Sequence, residues 1–151
     1  MHGRLESSLL CRVGSLLCAV PLEHVEETMR PLAVEPMAGV PAFVRGLAVV
    51  RGVPIPVIDA ASFLSGGASH PSRFVTLKTG SRRIAFAVDA VVGVVQIPPD
   101  SFNALPLLFH SSLDAISAVG TLDDDLLLVL RSARLLPETF WTLLDAGAVP
   151  A

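Results

Sequence analysis

The sequence predicts a mainly β protein built from short strands, and three observations carry this. Apolar and β-branched runs are brief and are broken repeatedly by Gly, Pro, Asp or Ser. Residues 44–59 hold two such runs with Arg51-Gly52 between them, the pattern of a tight hairpin in which Gly52 supplies a positive φ. Two hairpins end in an apolar-Asp-Ala echo, Ile58-Asp59-Ala60 and Val88-Asp89-Ala90, which favours two related small barrels over one sandwich.

In chain order, residues 9–20 read as the first hairpin. With a two-residue turn at Gly14-Ser15, Leu9, Cys11, Val13, Leu16, Cys18 and Val20 share one face. That register sets Cys11 opposite Cys18 as a hydrogen-bonded pair, with Cα atoms about 5.5 Å apart; two buried thiols in a reducing compartment are expected, not a disulfide. After Pro21, an extended run from Val25 to Val34 stops at Pro31 and Pro36. Residues 44–50 and 53–58 form the central hairpin. Its returning strand carries Pro54 and Pro56, which cannot donate to a ladder, so it is expected at an edge or a bulge. Residues 60–64 read as a short helix capped by Asp59. The Ser-Gly-rich stretch 65–72 punctuates the chain. Strands resume at 73–79, 83–89 and 91–97. After a loop through Pro106, residues 114–122 and 126–130 form a last hairpin turning at Asp123-Asp124-Asp125. Residues 135–144 read as an amphipathic helix with Pro137 in its first turn. The expected units are a first barrel over 9–64, a second over 73–130 and the C-terminal helix.

Composition narrows the function. The chain has 151 residues, 52% hydrophobic and only 17% charged, with a mean hydropathy of +0.63. So little charge demands deep burial or apolar surface left for partners. A net charge of −3 gives no footprint for nucleic acid or an anionic membrane. The longest runs without Asp, Glu, Lys or Arg, Ala60–Ser72 and Ser101–Leu113, are too short to span a bilayer. Glu6 and Arg12 interrupt any signal-peptide core, so a cytoplasmic location without membrane insertion is expected.

Reaction chemistry finds little support. Asp59 and Asp89 invite an aspartate-dependent hydrolase, but each is followed by Ala and not by the small polar neighbours that orient paired carboxylates; capping explains them better. Asp123-Asp124-Asp125 lacks the further ligands of a calcium loop. The histidines His2, His24, His70 and His110 are scattered, so no metal site is expected. There is no Gly-x-Ser-x-Gly elbow, and Gly66-Gly67 lacks the lysine of a phosphate loop; no cofactor is implied. Arg51 stands out. A guanidinium among Val49, Val50 and Val53 in a charge-poor chain has the character of an interface anchor.

The series Val25-Glu26-Glu27, Pro41-Ala42-Phe43-Val44-Arg45-Gly46, Val50-Arg51-Gly52, Pro56-Val57-Ile58-Asp59, Ala87-Val88-Asp89-Ala90-Val91 and Gly120-Thr121-Leu122-Asp123-Asp124 resembles the CheW family of chemotaxis coupling proteins, over roughly Leu9 to Leu144. The resemblance implies two five-stranded SH3-like barrels packed on a shared core, with a short C-terminal helix and no catalytic activity. It implies an adaptor between a chemoreceptor's cytoplasmic tip and the regulatory domain of a CheA-type histidine kinase. It assigns Val25, Glu27, Gly46, Arg51 and Val94 to the receptor-facing groove and Arg45 to the kinase side. Asp59 and Asp89 match family acids read as structural. The chain departs from the family pattern at Ala85, Gly93, Ser117 and Arg131, which makes its second half more apolar. The alternative function is a regulatory interaction domain in a non-motility two-component system.

Overall fold

The computed structural model describes residues 6–64, 70–97 and 115–145. Expectations for Gly66-Gly67, His2, His110 and the loop through Pro106 lie outside these residues. Within them the chain forms β1 (Glu6–Val13), β2 (Leu16–Pro21), a 3₁₀ turn (Leu22–His24), β3 (Val25–Met29), β4 (Val44–Val50), β5 (Val53–Asp59) and α1 (Ala60–Leu64). There follow β6 (Arg73–Thr79), β7 (Arg82–Val88), β8 (Ala90–Ile97), β9 (Ile116–Leu122), β10 (Asp125–Leu130), a second 3₁₀ turn (Ser132–Arg134) and α2 (Glu138–Asp145). The mainly β expectation holds, with two five-stranded sheets ordered β8-β1-β2-β10-β9 and β3-β6-β7-β5-β4.

The strands group differently from the expected division at 65–72. The N-terminal hairpin β1–β2 sits in the middle of the sheet made by β8, β9 and β10, while β3 to β7 form the other sheet. The chain crosses between sheets twice, at Leu22–His24 and at Asp89. The reason is a repeat that runs around the ends of the chain. Hairpin β1–β2 answers β6–β7, and both turn at Gly-Ser with a left-handed glycine (Gly14, φ 58; Gly80, φ 62). Hairpin β9–β10 answers β4–β5, each with an irregular register near its far end. The amide of Asp59 donates to the carbonyl of Phe43 at 2.8 Å, and in the matching place the amide of Arg131 donates to Ala115 at 2.6 Å. Arg131 therefore answers Asp59. Asp89, expected to echo Asp59, is instead a crossover residue.

Each sheet buries residues on both faces along its central strands. The main core lies between the sheets and takes Leu9, Cys11, Cys18 and Val20 from one, and Ile58, Val75, Leu77, Ile84 and Phe86 from the other. On its other face the β3–β7 sheet encloses Ala48, Ile55, Val57, Phe74, Ala85 and Ala87, and its partner encloses Leu10, Leu17, Ala19 and Leu127. Strands covered twice read as apolar runs, not as strict alternation. The β3–β7 sheet also curls. Its edge strands are β3 and β4, yet Glu35, just beyond β3, exchanges two backbone hydrogen bonds with Leu47 of β4, at 2.8 and 2.9 Å.

The first hairpin has the expected register. Cys11 faces Cys18, and both thiols are free and wholly buried. The hydrogen bond with Cys11 and then burial push the Cys18 thiol well above its ordinary range. The run from Val25 is shorter than expected; β3 ends at Met29, ahead of Pro31. The final helix starts at Glu138 and not at 135, because Pro137 restrains the residue before it and Leu135 and Leu136 are drawn into the core. Strand β5 is not an edge strand: it lies between β4 and β7. Its prolines are tolerated because the ladder to β7 covers only Val57 to Asp59.

Candidate protein-binding groove

Where the edges of the curled sheet approach, they frame an open groove of about 440 Å³. Arg51 and Gly52 make the two-residue turn between β4 and β5, both left-handed (φ 52 and 81). The turn projects the Arg51 guanidinium across to β3, where its Nε and Nη2 donate to the two Glu27 carboxylate oxygens at 2.7 and 2.8 Å. This fork geometry fixes orientation as well as charge. Glu27 is correspondingly held below the usual carboxylate range by its hydrogen bonds from Arg51, and Arg51 is raised by the same contact. The Arg51 side chain is 78% exposed and that of Glu27 29%, so solvent screens the pair and its main effect is positional.

A bulge in β3 brings the neighbouring acid into the same groove. The register between β3 and β6 shifts between Val25 and Glu27. Thr76, buried on β6, clasps the bulge: its hydroxyl accepts from the Glu27 amide and donates to the Glu27 carbonyl, both at 3.2 Å. Consecutive strand residues normally face opposite ways, and a bulge relaxes that rule. Glu26 and Glu27 accordingly both line the groove. Glu26 accepts from Arg83 Nε at 2.9 Å. Val50, Val53 and Ile55 complete the lining between the two ion pairs.

Of the residues assigned from sequence, Glu27 and Arg51 meet directly. Gly46 supports them from β4. Its φ of 143 and a Cβ position 1.9 Å from the Glu35 carbonyl oxygen leave room only for glycine, and the Glu35–Leu47 crossing depends on that closeness. Val25 packs partly against the shared core and is not in the groove lining. Val94 lies on β8 of the other sheet, 56% exposed beside the equally open Val92. Arg45 is tied to Asp59, with Nη2 at 3.0 Å, while the other Asp59 oxygen accepts from the Ala61 amide at 3.1 Å and caps α1. Sequence reasoning missed Arg83, Thr76 and Ile55 as groove residues. Their only signal was the doubled acid Glu26-Glu27, which needs two cations from elsewhere in the chain.

The acids weighed for catalysis have separate partners. Asp59 holds Arg45 and α1, whereas Asp89 accepts from the Gly14 amide at 2.7 Å and donates its own amide to the Arg12 carbonyl at 3.0 Å. Asp123 and Asp124 form the β9–β10 turn, both left-handed, and Asp125 pairs with Arg12 at 3.1 Å.

The sequence profile of the CheW-like domain matches residues 7–140, a span that takes in both sheets. The chain belongs to the CheW-like domain family. Among similar proteins, Protein FrzA of Myxococcus xanthus is 35% identical over 110 residues, covering 70% of this chain and 69% of that one. Chemotaxis protein CheW of Klebsiella aerogenes is 24% identical over 141 residues, covering 91% and 85%. The crystal structure of the scaffolding protein TtCheW from Thermoanaerobacter tengcongensis matches with a TM-score of 0.72 at 20% identity, covering 85% of this chain and 90% of that one. That likeness is one of fold. Within the CheW-like fold of this chain, Glu27 and Arg51 stand at the mouth of the β3–β7 sheet.

Proposed function

We propose that this CheW-like chain is a non-enzymatic adaptor of chemotaxis-type signalling, engaging a chemoreceptor's cytoplasmic tip and a CheA-type histidine kinase at once. The observation that carries the reading is the family match across residues 7–140. The groove supports it. Its charges are already neutralised in pairs and its lining is apolar between them, which suits the docking of a polypeptide more than bond chemistry. The receptor side centres on Glu27 and Arg51, with Gly46 holding β4 in place and Val25 and Val94 extending the contact. Arg45, on the same hairpin, serves the kinase side. Among the described residues no helix is long and apolar enough to cross a membrane; in this reading the protein works in the cytoplasm and reaches the membrane through its receptor.

Arg51→Glu tests this. It places two acids face to face and is expected to weaken binding of a receptor cytoplasmic fragment at least tenfold, with kinase binding retained. Glu27→Arg combined with Arg51→Glu rebuilds the pair in reverse and controls for folding. Unchanged receptor affinity in Arg51→Glu contradicts the reading, as does a melting loss as large as that of a core variant, which makes Arg51 structural.

A further inference from the structure

The internal repeat supplies a comparison within one molecule. Between β10 and β2 the parallel seam pairs Leu127 with Leu17, Leu128 with Cys18 and Val129 with Ala19. The matching seam between β5 and β7 begins only at Val57 with Ala85. The counterpart of Leu127–Leu17 is Ile55–Arg83, and that ladder pair is not made. The cause lies in Pro56. With a two-residue turn at Arg51-Gly52, the backbone groups of Val53, Ile55 and Val57 face β4, and those of Pro54 and Pro56 face β7. Pairing Ile55 with Arg83 needs an N–H at position 56 to donate to the Arg83 carbonyl, and proline has none. The next pair outward needs an N–H at position 54, again proline. In the other sheet Leu128 stands where Pro56 does, and the Leu127–Leu17 pair is made; Leu126 stands where Pro54 does, and the pair beyond it is absent there as well.

The unzipped pair lies in the wall of the binding groove. Ile55 and Arg83 both line it, and both also line a second cleft of about 280 Å³ that reaches Pro54, Pro56, Ser81 and Trp141. Val53, Ile55 and Arg83 are common to the two clefts. From Arg51 to Pro56 the trough follows β5 for roughly 16 Å at the strand rise, the length of about three helical turns.

We propose that Pro56 is a groove-opening residue, keeping the Ile55–Arg83 ladder pair unmade at the mouth so that a receptor helix seats an apolar side chain against β5 beside Arg83. This rests on the adaptor reading above and names what makes one of its two sheets receptive and the other closed.

The test is Pro56→Leu, the residue the zipped seam uses, and Pro56→Ala as a smaller variant that restores the same donor. Hydrogen exchange on the full chain and affinity for a receptor cytoplasmic fragment are both measured. The expected result is slower exchange at residues 55–57 and 82–84 and at least a tenfold loss of receptor affinity, with kinase binding kept. Slower exchange with unchanged receptor affinity overturns the proposal, and so does unchanged exchange in both folded variants. A wild-type chain that fails to bind the receptor fragment overturns the adaptor reading instead, and the exchange data still decide whether Pro56 holds the seam open.

Discussion

Arg51 and Glu27 show how little of a functional contact is intrinsic to either residue. A turn arginine is ordinarily solvated, and an acid on a strand is ordinarily a surface group. Here a left-handed turn and a bulged edge strand bring them to 2.7 Å. The contact has a pH signature. The Glu27 carboxyl is held below its ordinary value by Arg51. A group with a depressed folded pKa contributes stability that is present above its unfolded value, about 4.3 for Glu, and is lost as pH falls through the folded value. The pair is therefore fully formed at neutral pH. A carbon-13 titration of the Glu27 carboxylate is expected to show a midpoint below that of a model peptide, moving upward in Arg51→Ala. Coincident midpoints in the two proteins contradict the pairing. From sequence, Arg51 was legible as an anchor because it stands among valines. Its partnership with Glu27 was not, because that depends on the curl of a whole sheet.

Element by element, the hairpins were the most legible part of the chain and the prolines the least. Gly14-Ser15 and Arg51-Gly52 announce two-residue turns, and both occur where expected. Pro54 and Pro56 suggest an edge or a bulge, yet β5 is flanked on both sides. Proline reports a missing donor, and a strand can lose donors along half its length and still be paired along the rest. The crossing of residue 35 over β4 was equally hidden, since one glycine among eleven carries no label. Gly46→Ala makes it visible. With a backbone oxygen 1.9 Å from the new Cβ and φ at 143, the variant is expected to lose about 3 kcal/mol or more. Urea unfolding measures this, and amide protection at Glu35 and Leu47 should fall together. A loss under about 0.5 kcal/mol would mean that the crossing relaxes freely.

At the scale of the molecule, the short-strand pattern was enough for a mainly β reading and for two related units. It was not enough for their boundaries. Local patterns mark where a strand is and say nothing about its neighbours, so a repeat wrapped around the chain ends looks like two halves in series. Sheet membership makes a direct prediction. A chain divided between Gly66 and Gly67 leaves β1 and β2 on one fragment and β8 to β10 on the other, and splits the second sheet between β3–β5 and β6–β7. The two fragments, expressed separately, are expected to be unfolded alone and to reassemble when mixed, as read by circular dichroism and gel filtration. Independent folding of either fragment contradicts the interleaved architecture. The central claim is simultaneous engagement of receptor and kinase by this chain. Co-sedimentation of the purified chain with a membrane-inserted chemoreceptor and a CheA-type kinase measures it most directly. Kinase should pellet with receptor only when the chain is present, and substitution of Arg51→Glu should release both the chain and the kinase from the receptor. Kinase that pellets equally without the chain, or with the Arg51→Glu variant in its place, would contradict the account.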